Sequence, residues 1–245
     1  MVNSTSRFAK MITLYDMGPC QIPGIEGYSP FVRSIIYTLK FKRIPYEISL
    51  VNWITLAPTA KSIGAPPTSI SPDKYTVPFI YDSNTGKVIS DSFLIAEYLD
   101  ASYPDTPQVI PNGSRALQAA FCEAVPQRFF VPMTPVVLPA MRELGTQEVK
   151  ESLIKLYGED PVYSLTDEEK AEAWRKGKQG FDDLAKGYEE AQLFVMGKTP
   201  VFADFLLAGI FWEQMMALGK DSASWKSMAL WMEGRVGRLL DEVEK

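Results

Sequence analysis

The chain has 245 residues, 46% of them hydrophobic and 22% charged, with a formal net charge of -5 and no histidine. This is the composition of a globular protein, its acidic balance argues against a nucleic-acid partner, and the missing histidine excludes Ser-His-Asp, Cys-His and His-zinc chemistry. No apolar run is long enough to span a bilayer, and Met1 to Lys10 lacks the apolar core of a signal peptide, so a cytoplasmic protein without a membrane partner is expected.

In chain order, Met11 to Asp16 predicts a first strand, followed by a loop containing Gly18, Pro19, Pro23, Gly24 and Gly27. Pro30 suits a first helical turn, and Val32, Ile35, Ile36 and Leu39 form an apolar stripe that ends at the basic Lys40, Lys42 and Arg43. Tyr46 to Val51 alternates as a second strand, completing a βαβ unit. A long connection runs from Asn52 to Thr76, helical around Trp53 to Ile63 and turn-rich at Gly64, Pro66, Pro67, Ser69, Ser71, Pro72 and Asp73. Two strands flank the hairpin signal Asp82 to Gly86, and a helix opens at Asp91. This order is that of a thioredoxin-like domain.

Beyond Tyr103 the composition shifts. Pro104 to Pro107 and Pro111 to Gly113 mark a linker, and everything after it reads as helix. Pro126, Pro132, Pro135 and Pro139 are expected to bend or break the segment that begins near Leu117. Thr166 to Glu169 is a capping box, with Trp174, Phe181, Leu184 and Tyr188 as the buried face behind it. Phe202 to Leu218 is almost wholly apolar and predicts a central buried helix; Trp225 to Val243 is one last amphipathic segment.

Two local signals stand fourteen residues apart, Val77-Pro78 in an apolar strand and Ser90-Asp91-Ser92 before a helix. Proline at a strand entry cannot donate to the ladder, and the cis form of an X-Pro bond costs only about 0.5–1 kcal/mol. A cis bond is expected here, turning the Val77 backbone outward to pair with a peptide. A helix start offers free N–H groups and a positive dipole end. Together they form a socket for a small anionic peptide, although Ser-Asp-Ser is also an ordinary helix cap.

These features resemble the cytosolic glutathione transferases over nearly the whole chain. The resemblance implies an α/β plus all-α architecture: a thioredoxin-like glutathione-binding domain at 1–103, a linker at 104–113 and an all-helical domain at 114–245 that supplies the apolar substrate site. It implies that Val77 and Pro78 hold the cysteinyl backbone of glutathione, and Asp91 and Ser92 its γ-glutamyl end. Ser29-Pro30-Phe31 resembles the first-helix start of the Ser- and Cys-type classes, which assigns Ser29 to the sulfur. Tyr15, at the end of the first strand, is the rival, as in Tyr-type classes. Cys20 lies nine residues before Ser29, off the family's Cys position, and reads as an ordinary thiol. Glutathione is the expected co-substrate, with no metal, and a homodimer is expected from the family alone.

The energetics suit Ser29. A thiol of pKa near 8.5 is only about 3% ionised at pH 7, and lowering it by roughly two units takes about 2.7 kcal/mol. A hydrogen bond to an anion supplies about 1.5–3 kcal/mol, and a helix N-terminus about 0.3–1 kcal/mol more. The electrophile site is expected between the domains, where the helix bearing Phe121, Glu123 and Arg128 faces the Tyr15–Tyr28 loop. The long loops and Ser29-Pro30-Phe31 look most similar to fungal transferases related to bacterial β-etherases, which implies aromatic electrophiles and detoxification. A low-turnover, ligandin-type carrier of aromatic compounds, a glutathione-dependent etherase and a regulatory protein on the same fold remain alternatives. One departure is Val201 to Asp204, which keeps the family's aspartate but lacks its hydroxyl helix cap, a loss of about 1 kcal/mol if nothing replaces it.

Overall fold

The computed structural model describes residues 11–68, 74–157, 165–189 and 192–245, so Ser69, Ser71, Pro72 and Asp73 of the turn-rich connection lie outside the described residues. β1 (Ile12–Met17), α1 (Pro30–Lys42) and β2 (Tyr46–Val51) form the expected βαβ unit, with β2 parallel to β1 and Ile12 opposite Tyr46. β3 (Phe79–Asp82) runs antiparallel along the other side of β1, and β4 (Lys87–Ser90) completes a sheet of order β2-β1-β3-β4. α2 (Leu56–Ser62) occupies the long connection and α3 (Ser92–Ser102) follows β4. The strand period of two sorts the sheet's side chains. Ile12, Leu14 and Ile80 pack with Val32, Ile35 and Leu39 of α1 and Ile95 and Leu99 of α3, whereas Met17, Val51 and Phe79 pack with Leu56 and Ala60 of α2.

The helical half comprises α4 (Arg115–Val125), a π turn (Pro126–Phe130), α5 (Val131–Leu144), α6 (Gln147–Tyr157), α7 (Asp167–Ala185), α8 (Phe202–Leu218), α9 (Ala223–Ala229) and α10 (Trp231–Val243). The prolines do not break the chain here. Val125, Pro126, Phe130 and Val131 all keep right-handed helical angles, so α4, the π turn and α5 run on as one path. The frame slips by one residue at Pro126, which is how a helix accommodates missing N–H donors. The last segment does divide: Met232, Glu233 and Gly234 take left-handed φ values of 51°, 56° and 79° between α9 and the rest of α10. The Thr166–Glu169 capping box opens α7 and Phe181 is buried, but α7 stops before Tyr188, whose ring lies 4.3 Å from the Arg235 guanidinium.

α8 is the buried axis, and its missing hydroxyl cap is replaced by tertiary partners. The Phe202 N–H donates to the Val109 carbonyl (2.8 Å) and the Ala203 N–H to Gln118 Oε1 (3.1 Å). Asp204 Oδ2 accepts from the Val201 N–H at 2.9 Å, and Oδ1 from the Val195 N–H at 2.7 Å. α8 lies directly on α1: a Cβ on Gly209 would come within 2.3 Å of the Pro30 carbonyl oxygen. Around this seam Glu244 takes Arg33 (2.6 Å) and the Tyr37 hydroxyl (2.5 Å), while buried Lys42 reaches Asp100 at 2.6 Å. No helix among the described residues is long and apolar enough to cross a membrane.

Candidate functional site

The loop that delivers Ser29 is strapped to the end of β1. Asp16 is buried, and its Oδ1 accepts from the Met17 N–H (2.7 Å) and the Ser29 N–H (3.2 Å). The Tyr28 N–H donates to the Met17 carbonyl at 3.0 Å. Gly27 must lack a side chain, because a Cβ there would meet Asp16 Oδ2 at 2.1 Å. Burial pushes the Asp16 carboxyl up to about 7, against the pull of its two N–H donors. Ser29 is then the N-cap of α1, its Oγ accepting from the Val32 N–H at 3.4 Å, a role that does not use its O–H as a donor.

Across the same region the Val77–Pro78 bond is cis, as the strand-entry proline predicts. Asp91 caps α3 with Oδ1 alone, which accepts from the N–H groups of Phe93 (2.9 Å) and Leu94 (3.2 Å). Its φ of 79° lies in a region that costs a non-glycine residue about 1–3 kcal/mol, the kind of strain that collects at ligand sites. The cap and the ligand-facing roles of Asp91 are therefore compatible.

Two clefts meet at Val77. The first, of about 530 Å³, is lined by Thr76, Val77, Pro78, Asp91, Ser92, Cys122 and Glu123, among others. The second, of about 670 Å³, is lined by Tyr28, Ser29, Trp53, Tyr75, Thr76, Val77, Leu138, Met141, Leu156 and Glu213, among others. So Val77, Pro78, Asp91 and Ser92 stand together in one cleft, with Ser29 and Tyr28 next door. Tyr15, Phe121 and Arg128 line neither. Tyr15 stacks on Phe79 at 4.4 Å between ring centroids, and burial raises its hydroxyl pKa. Phe121 packs against the main core, and Arg128 is exposed, its carbonyl lying where a Gly180 Cβ would be. The domain face opposite the Tyr15–Tyr28 loop is supplied instead by α5 and α6: the Gln21 N–H donates to the Leu144 carbonyl (2.7 Å) and the Thr146 N–H to the Pro19 carbonyl (3.3 Å). Leu138 and Met141 of α5, Leu156 of α6 and Glu213 of α8 line the larger cleft, and of these only Glu213, interrupting an apolar run, carried a local signal. Cys122 also went unforeseen, and burial pushes its thiol up to about 12, so it is inert at neutral pH. Among the described residues no group of three or more His, Cys, Asp or Glu could hold a metal ion.

The chain joins a thioredoxin-like sheet to an all-helical domain. The family comparison makes this specific. Residues 28–102 match the glutathione S-transferase N-terminal domain model and residues 116–245 the C-terminal domain model. The chain belongs to the glutathione S-transferase family, and glutathione is its co-substrate. It is 36% identical to a glutathione S-transferase of Ceriporiopsis subvermispora solved in complex with glutathione, over 96% of each chain, with a TM-score of 0.87. It is 26% identical to a glutathione S-transferase-like protein of Aspergillus flavus, over 87% of this chain and 88% of that one. The β-etherase LigF of Sphingobium, 17% identical over 96% and 98% of the chains with a TM-score of 0.62, shares the fold.

Proposed function

We propose that this chain conjugates glutathione to apolar, aromatic electrophiles, with the Ser29 hydroxyl donating a hydrogen bond to the thiolate. The observation that carries this reading is that Val77 walls both clefts, with Asp91 and Ser92 in one and Ser29 in the other. A tripeptide extends over roughly 10 Å at about 3.3–3.6 Å per residue. Laid along Val77 as an added strand, it has its γ-glutamyl end at Asp91 and its sulfur beside Ser29. Asp91 Oδ2, not used in capping, takes the ligand's ammonium, and the N-terminus of α3 takes its carboxylate. The glutathione complex of the Ceriporiopsis relative supports glutathione as the ligand. Residues 1–103 then carry the tripeptide, and 114–245 the outer wall of the electrophile site.

The electrophile enters the larger cleft, where Trp53, Tyr75, Leu138 and Met141 offer an aromatic and apolar lining with few polar groups to fix orientation. The test pairs glutathione binding with conjugation of an aromatic panel. Ser29→Ala should keep the affinity for glutathione and lose conjugation by about 10- to 100-fold, the equivalent of a 1.5–3 kcal/mol hydrogen bond to an anion. Equal turnover in the variant overturns the role of Ser29. Aromatic binding without turnover in the wild type makes the protein a carrier.

A further inference from the structure

Four carboxyls are buried among the described residues, and one differs from the others. Asp82 accepts from the Tyr98 and Tyr103 hydroxyls at 2.6 and 2.8 Å and from the Asn84 N–H at 2.8 Å. Asp16 and Asp204 each accept two backbone N–H groups. Glu213 is 7% exposed, and its Oε2 has no hydrogen-bond partner among the described residues. A buried carboxyl kept without a partner calls for an explanation other than packing, since a Leu or Met fills such a site at less cost.

Its position supplies one. Gly209 of α8 touches the Pro30 carbonyl, and Glu213 is four residues further on, hence on the same face of the helix. Helical side chains lean back toward the preceding turn, so Glu213 leans toward the start of α1. It lines the cleft shared with Ser29, among Met17, Pro30, Leu138 and Met141; the other titratable groups there are Tyr28, Lys74, Tyr75 and Lys155.

We propose that Glu213 is a proton donor to the leaving oxygen whenever the electrophile is one whose carbon–oxygen bond breaks on attack. The proposal rests on the glutathione reading above. The thiolate attacks carbon, the carbon–sulfur bond forms, and the carbon–oxygen bond breaks with its electron pair going to oxygen. That oxygen takes the proton of the Glu213 carboxyl. The carboxylate left behind recovers a proton from the next glutathione thiol as it ionises, so the cycle consumes one glutathione and one electrophile and nothing else. Burial pushes the Glu213 carboxyl up to about 8, so it carries its proton at neutral pH. Proton donation is needed for an alkoxide leaving atom and is idle for a halide.

The test is the ratio of kcat/KM for an aryl epoxide to that for an aryl halide, both with glutathione. Glu213→Gln keeps the shape of the side chain but has no acidic proton to give. The ratio should fall about 100-fold, the low end of general-acid effects. An unchanged ratio overturns the proposal, whether both rates fall together or neither does. So does a wild type that conjugates the halide and opens no epoxide; this leaves the glutathione reading standing, whereas a wild type that neither binds glutathione nor conjugates the halide removes both. Glu213→Met, of similar size and apolar, gives the same ratio test if Glu213→Gln does not fold.

Discussion

Gly209→Ala perturbs the seam on which the site depends. The new Cβ would stand 2.3 Å from the Pro30 carbonyl oxygen and 3.2 Å from the Ser34 backbone nitrogen, neither of which is a flexible side-chain end. Carbon–oxygen contacts settle at about 3.3–3.6 Å, so α8 and the first turn of α1 must part by about 1 Å. Overpacking of this kind costs about 1–3 kcal/mol, against about 1 kcal/mol gained from the better helix propensity of alanine. The net loss of up to about 2 kcal/mol lowers Tm by at most about 8 °C in a chain of this size. Function should suffer more. Ser29 precedes Pro30, and a displacement of about 1 Å in a reacting group can reduce turnover about 100-fold. Thermal melting and kcat/KM for a standard aryl halide, on the same preparation, are the assays. A raised Tm with unchanged conjugation would refute the reasoning, because helix propensity would then outweigh the contact and the seam would have no hold on Ser29.

Glutathione at a hundred times its Kd should stabilise the wild type by about 2.7 kcal/mol, and Asp91→Ala should remove most of that shift in a thermal melt; full retention would reduce Asp91 to a cap. Burial pushes Asp16, Asp204 and Glu213 up to about 7, 7 and 8, so between about pH 4 and 8 the folded chain binds more protons than the unfolded chain. Their contribution is present at low pH and lost as pH rises through those values; calorimetry should show stability declining across that window, less steeply in Glu213→Gln. Gln118→Ala leaves the Ala203 N–H without its acceptor and should cost about 1–3 kcal/mol in denaturant unfolding, and Val201→Ser should also destabilise, because Val201 is buried in the core and the cap a hydroxyl would restore is already replaced.

The parts of the fold readable in the sequence were those set by local chemistry. Ser29-Pro30 starts α1, the alternation of Tyr46 to Val51 makes β2, and Thr166 to Glu169 starts α7, because each depends on residues within a turn or two. Val77-Pro78 and Asp91 belong to the same group. What escaped depended on distant partners. The cap of α8 comes from Val109 and Gln118, about ninety residues upstream by tertiary contact, so Val201 looked like a defect. The prolines near α5 were expected to bend or break the helix, and nothing local announces that the irregularity takes the form of a π turn. Phe121 and Arg128 were expected to face the Tyr15–Tyr28 loop, but Gln21 binds Leu144 and Gly145, which sets the end of α5 against that loop.

The central claim is that Ser29 makes bound glutathione a better thiolate. Ultraviolet titration of the thiolate in the complex measures this without any electrophile. A hydroxyl donating to the sulfur favours the anion, so the bound thiol should ionise at lower pH than free glutathione, and Ser29→Ala should move that ionisation back up. A bound thiol that titrates like free glutathione in the wild type, or identically in both proteins, would contradict the account.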